Sequence, residues 1–284
     1  MGLSIKVQKN LLDISLPKVM AIVNVTPDSF YTSWGKESID DILKQVQNLI
    51  DLGADIIDIG ACSTRPNSTP TNAEEEWKRL SPVLAAIRVH FPKTILSIDT
   101  FRAEIAEKAI LAGGDIINDV YGGEADAEMW NIVAKYGVPY ILTLAHNLPN
   151  GDAKNGYDYT MSGVVDFFQE KLDKLHRMGV ADVIIDPGFG FAKTERENYT
   201  ILNQLDVLSA LQAPMLVGIS RKSMLYKPLG VGPSDVLPAT IAANTMALER
   251  GANILRVHDV AAAKQAIAIY SLTHKISSDI CCLG

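Results

Sequence analysis

Short apolar runs recur along the chain. They read "VMAIVNV" at 19–25, "DIIDIG" at 55–60, "ILSID" at 95–99 and "DIINDV" at 115–120. Then come "YILTLA" at 140–145, "DVIID" at 182–186, "MLVGIS" at 215–220 and "NILRVHD" at 253–259. Their apolar character is nearly continuous rather than alternating, which predicts parallel strands covered on both faces. The intervening segments carry helical spacing: "SIDDILKQVQNLIDLGAD" places Ile39, Ile42, Leu43, Val46, Leu49 and Ile50 on one stripe. "RAEIAEKAILAGGD" and "ATIAANTMALERGAN" behave alike. Gly53, Gly113, Gly137, Gly179 and Gly251 stand just before the next strand, where a helix stop belongs.

Eight strands alternating with helices over roughly 250 residues predict an α/β chain folded as a (β/α)8 TIM barrel. No Pro/Ser-rich linker divides it, so residues 1–284 are expected to form a single domain with a C-terminal tail fraying from about 275. A doubly wound open sheet is the alternative, with fewer strands and a crevice at one switch point.

Polar residues gather at the C-terminal ends of the predicted strands, where barrel active sites lie. Asn24 ends the first strand, Asp58 lies in the second and Asp99 ends the third. Asn118 and Asp119 end the fourth, Asp186 the sixth, and Arg256 and His258 the eighth. Asp99, Asn118 and Asp186 offer acceptors plus one amide, a set suited to a flat heterocycle with a guanidine-like edge. Arg221, Lys222, Arg256 and His258 form a basic group suited to phosphate or pyrophosphate. An Asn beside acidic groups can hold Mg2+ against such an anion. The stretch "IIDPGFGFAKT" after the sixth strand is not a nucleotide loop. Pro187 and Ala192 occupy the glycine positions of a phosphate loop, and Lys193 stands where a dinucleotide loop needs its third glycine.

Composition narrows the field. Net charge is −7 and the pI near 5.3, which argues against general nucleic-acid binding and against a basic membrane surface. No apolar stretch is long enough for a membrane helix, and the opening residues lack the apolar core of a secretory signal. Cys62, Cys281 and Cys282 form neither a disulfide framework nor a zinc spacing, so a cytoplasmic protein is expected.

Seven stretches together resemble the dihydropteroate synthases, folate-pathway enzymes that bind pterins. They are "NVTPDSF" (24–30), "GADIIDIGACSTRP" (53–66), "SIDT" (97–100), "INDV" (117–120), "DPGFGFAKT" (186–194), "GISRKSM" (218–224) and "RVHDV" (256–260). They run in order over nearly the whole chain. The resemblance implies a (β/α)8 barrel, a homodimer, and condensation of 6-hydroxymethyl-7,8-dihydropterin diphosphate with 4-aminobenzoate, with Mg2+ assisting. It implies Asn24 as a metal ligand and Asp99, Asn118, Asp186 and Lys222 as the pterin pocket. Thr64, Arg256 and His258 match diphosphate contacts. Phe30, Pro66, Phe191 and Ser223 match the surroundings of the aminobenzoate. Arg65 and Gly218 complete the expected substrate-binding set, and Lys222, Arg256, His258 and Asp99 are the expected catalytic residues. Lys193 is expected to partner an acid structurally. Two loops, 26–38 and 61–74, are long enough to close over such a site and exclude water.

The chain departs from the family pattern in three places. Its first loop reads "SFYTSW", Cys62 stands where a Glu is common, and the fifth strand ends in Thr143, Leu144 and Ala145 where Met-His-Met is usual, with His146 offset. A corrinoid-type pterin methyltransferase domain and a pterin-binding paralogue without synthase activity share the expected barrel.

Overall fold

The computed structural model describes residues 3–8, 10–25, 36–62, 71–145 and 159–281. Two short strands, β1 (Ser4–Val7) and β2 (Asn10–Asp13), form an antiparallel hairpin. The remaining strands are β3 (Lys18–Asn24), β4 (Ile56–Gly60), β5 (Ile95–Asp99), β6 (Ile116–Asp119), β7 (Tyr140–Thr143), β8 (Val183–Asp186), β9 (Leu216–Val217) and β10 (Ile254–Val257). They are parallel and ordered β8-β7-β6-β5-β4-β3-β10-β9. A bridge between Ile185 and Met215 joins the two ends, so the sheet closes as the predicted barrel.

Helices α1 (Lys36–Asp51), α2 (Ala73–His90), α3 (Ala103–Leu111), α4 (Met129–Tyr136) and α5 (Met161–Arg177) separate the strands up to β8. Beyond it come α6 (Glu195–Asn203), α7 (Ser223–Leu229), α8 (Leu237–Glu249) and α9 (Val260–Cys281). Their starts follow local chemistry. Asn72 accepts from Glu75 N to open α2, and Thr194 and Glu197 form a reciprocal capping box on α6. Gly137 ends α4 at φ 62, a left-handed conformation that a Cβ would disfavour.

Several ladders are shorter than the apolar runs that announce them. The run at 215–220 pairs only over Leu216–Val217, because Gly218 to Lys222 turn away to open α7. The hairpin was not anticipated, since two four-residue strands leave little periodicity to read.

Alternation along each strand divides the interior from the helix-facing surface. Outward residues such as Ala21, Ile57, Ile117, Tyr140 and Leu255 pack into the main core beneath the helices. The lowest inward row is Met20, Ile56, Ile95, Ile116, Ile141, Ile184, Leu216 and Ile254, one residue from each strand. Ile5, Val7 and Ile14 from the hairpin region pack against that row and close the N-terminal mouth of the barrel. Each fully buried aliphatic side chain there contributes about 1.5–3 kcal/mol, so this end of the barrel is a stability element.

Candidate functional site

Two residues further along every strand, the inward row changes character. It reads Ile22, Asp58, Ser97, Asn118, Thr143, Asp186, Gly218 and Arg256. A step of two keeps a strand residue on the same face, so these side chains stand directly above the aliphatic row. Asp58 is completely buried. Its carboxylate accepts from Arg256 Nε at 2.7 Å and from Asn118 Nδ2 at 3.2 Å. The same guanidinium donates to Asp99 Oδ2 at 2.6 Å from the row above. Burial pushes the Asp99 carboxyl up to about 7, against the pull of Arg256 and with added repulsion from Asp58. Burial also opposes the charge on Arg256, yet Asp58 and Asp99 hold its guanidinium above the ordinary arginine value.

Asp186 accepts from Gly188 N at 2.8 Å. Burial raises its pKa, while Lys222 and that backbone bond pull the other way. Lys222 caps the start of α7 and donates to Phe189 O, with its Nζ 4.6 Å from the centre of the Phe191 ring. Burial lowers Lys222 to about 8 despite the attraction of Asp186. Gly218, the row's one missing side chain, lies beside this amine, and a Cβ there would meet its neighbours only at ordinary contact distance. A Cβ on Gly218 would lie 3.9 Å from Lys222 Nζ and 3.8 Å from Arg256 Cβ.

The glycine-rich turn after β8 serves close approach. At Gly188 (φ 65) a Cβ would fall 2.1 Å from Leu144 O, so only glycine lets the turn lie against the end of β7. Lys193 fastens the same contact, donating to Leu144 O at 2.7 Å and Gly188 O at 2.9 Å. This corrects the expectation of an acid partner: the direct partners are backbone carbonyls, and Asp186 acts on the ammonium only through its field. Burial lowers Lys193 to about 7, partly offset by Asp186.

At the rim, Ser220 Oγ lies 3.0 Å from His258 Nδ1, and the imidazole is exposed. Asn24 ends β3 with its side chain exposed. Ser223 opens α7, half-buried. Arg221 does not join the basic group as expected. Asp259 takes its guanidinium through two bonds, of 2.9 and 2.7 Å. Phe101, Val120, Tyr121 and Ala145 form a small apolar cluster of their own, with Cys62 and Phe191 packed against it. It offers flat and aliphatic surface at the mouth above the polar row.

The structure thus brings Asp99, Asn118, Asp186, Gly218, Lys222 and Arg256 into one interior, with Asn24, Phe191, Ser223 and His258 around its opening. Phe30, Thr64, Arg65, Pro66 and His146 lie outside the described residues, as do most of the two expected closing loops. Sequence reasoning counted Asp58 in the polar set at the strand ends but gave it no partner and no specific role. Its signal was a carboxylate in the middle of an apolar strand, on the inward parity.

The comparisons agree with this geometry. The family model described as pterin binding enzyme matches residues 20–258. The chain is 36% identical to Escherichia coli K12 dihydropteroate synthase over 94% of its own length and 95% of that protein. It is 40% identical to a probable bifunctional folylpolyglutamate synthase/dihydropteroate synthase of Haloferax volcanii, over 85% of this chain but 29% of that longer one. The structure of Xanthomonas albilineans dihydropteroate synthase with 4-aminobenzoic acid superposes with a TM-score of 0.88 at 34% identity, covering 96% of this chain and 99% of that one. By the extent of these matches, the chain belongs to the pterin-binding enzyme family, among its dihydropteroate synthases.

Proposed function

We propose that the chain condenses 6-hydroxymethyl-7,8-dihydropterin diphosphate with 4-aminobenzoate, giving 7,8-dihydropteroate and diphosphate. The observation that carries this reading is the inward row of Asp58, Asn118, Asp186 and Arg256, roofed by Lys222, inside a barrel whose next row down is aliphatic. A pterin's 2-amino and N3 groups are donors, and Asp186 is a buried acceptor at the end of its strand. Lys222, from the end of the neighbouring strand, supplies a donor to the ring's acceptors. Phe191 and the apolar cluster at the mouth suit the aminobenzoate ring.

The chemistry follows. The bond between the pterin methylene and the diphosphate oxygen breaks, and the diphosphate leaves with the electron pair. The electron-rich ring delocalises the resulting cation. The arylamine nitrogen then forms the new C–N bond and gives up a proton. No protein nucleophile is required. Arg256 and His258 would stabilise the departing anion as donors fixed before the reaction.

Magnesium suits this site as a companion of the substrate. Among the described residues no group of three His, Cys, Asp or Glu side chains is placed to hold a metal. Mg2+ commonly keeps several waters and binds through few protein oxygens plus substrate phosphates, and the exposed Asn24 amide at the rim fits that role. When bound, the ion would neutralise diphosphate charge.

A homodimer is supported by Met246 on α8 and by Ile269 and Leu272 on α9, apolar side chains exposed on two neighbouring helices. Native mass spectrometry tests it, with a dimer expected. A cytoplasmic location is supported by the sparse cysteines and by the absence, among the described residues, of a helix long and apolar enough to cross a membrane.

The functional test is direct. Purified protein is incubated with both substrates and Mg2+, and dihydropteroate is measured by chromatography. Product that depends on both substrates is expected, and no product above a protein-free control would contradict the reading.

A further inference from the structure

Thr143 is the last residue of β7 and is about 1% exposed. Among the described residues its Oγ1 has no hydrogen-bond partner. Buried hydroxyls are normally paired, and one left unpaired costs free energy, so the position calls for an account.

Its placement supplies one. Ile141, two residues earlier, belongs to the aliphatic row inside the barrel, whereas Tyr140, Leu142 and Leu144 face the helices. Thr143 therefore points inward, in the same row as Asp58, Asn118 and Asp186. Across the β7–β8 ladder its direct partner is Asp186. On the other side, Asn118 stands opposite Ile141. The hydroxyl thus sits between the two groups assigned to the heterocycle. Ser97 also has an unpaired hydroxyl in this row, but Asp99 stands above it on β5. Above Thr143 on its own strand stands only Ala145, a single buried methyl of the apolar cluster at the mouth.

We infer that Thr143 is a polar reader of the substrate, its hydroxyl bonding the edge of the pterin ring between the contacts made by Asn118 and Asp186. A hydroxyl both donates and accepts, so it can meet either a ring N–H or a ring acceptor. The inference rests on the pterin-binding reading above and adds a specificity residue to it. The ligand supplies the bond that the empty protein leaves unmade. Valine in its place would keep the shape and lose the bond.

The test pairs two readouts on Thr143→Val, Thr143→Ser and the wild type. Calorimetry with 6-hydroxymethylpterin measures affinity, and thermal melting of the ligand-free protein measures stability. Thr143→Val should bind the pterin about five- to tenfold more weakly, the scale of one neutral hydrogen bond. Its ligand-free melting temperature should hold or rise, because an unpaired buried hydroxyl has been removed. Thr143→Ser should recover most of the affinity. A residue with a purely structural role would lower the melting temperature and leave affinity alone, which would overturn the inference. Equal affinity of Thr143→Val and a binding wild type would overturn it too, leaving the proposed function standing. A wild type that does not bind the pterin would remove the proposed function and the inference together.

Discussion

The two ends of the barrel use the same residue types for different ends. "DIIDIG" and "DIINDV" both open with an Asp and carry a polar residue three positions later. Three is odd, so the two groups face opposite sides of the strand. Asp55 points outward at the closed end, where it accepts from Val19 N at 2.8 Å and Lys264 Nζ at 2.6 Å. Asp115 does the same, accepting from Leu96 N at 2.8 Å and pairing with Arg88. These carboxylates tie strand starts to helices, Asp55 half-buried and Asp115 buried. Asp58 and Asn118 point inward at the open end and are linked to each other and to Arg256. The side of the strand and the end of the barrel separate a staple from a site.

The largest effect is expected from Lys222→Ala. It should remove synthesis while the melting temperature stays near wild type, because the amine hangs from the N-terminal edge of a seven-residue helix rather than from the core. Near-normal turnover would place the working cation elsewhere.

Asp58→Ala strikes the same end one row lower. It leaves Arg256 buried with only Asp99 as a partner, so stability should fall by about 3 kcal/mol and pterin affinity with it. Asp55→Ala at the closed end breaks a half-exposed pair, which is worth about 0–1 kcal/mol apart from the backbone bond, and should leave pterin affinity unchanged. Chemical denaturation and calorimetry on both variants test the contrast. Similar losses of affinity would erase the distinction between the ends.

Ile141→Ala empties part of the aliphatic row directly below Thr143. It should cost about 2–5 kcal/mol of stability while the pterin dissociation constant changes little at temperatures where the variant is folded. A large loss of affinity in a folded variant would show that the lower row shapes the site as well.

A smaller effect comes from pH. Lys222 is charged below about 8 and neutral above it. Affinity for the pterin diphosphate should therefore fall as pH rises through about 8. The folded value lies below the ordinary lysine value of 10.5, so the unfolded chain holds more protons between about 8 and 10.5. The lysine's contribution to stability thus rises with pH across that window while binding falls. Lys222→Met should abolish both trends, as binding and melting series from pH 7 to 10 would show. A binding limb that survives in that variant would belong to another group.

Much of the architecture was legible because burial writes itself into apolar runs. All eight barrel strands were visible as such, and Gly53, Gly113, Gly137, Gly179 and Gly251 all adopt the positive φ of a helix stop. The hairpin was not visible, since Ile5 and Val7 bury only two side chains between exposed neighbours. At the site, strand-end position and residue type singled out Asp99, Asn118, Asp186 and Arg256. They could not tell that Arg221 is taken by Asp259, because that pair spans 38 residues and depends on the left-handed turn at Arg221 (φ 57). The carbonyl cage around Lys193 was hidden for a related reason. Backbone acceptors leave no mark in the choice of amino acids.

The central claim is that the inward polar row reads a pterin edge through Asp186. A crystal structure with 6-hydroxymethylpterin bound tests it most directly. The account predicts the ring's 2-amino and N3 edge about 2.7–3.2 Å from the Asp186 carboxylate, above the aliphatic row. A ring bound elsewhere, with Asp186 still bonded only to Gly188 N, would contradict it.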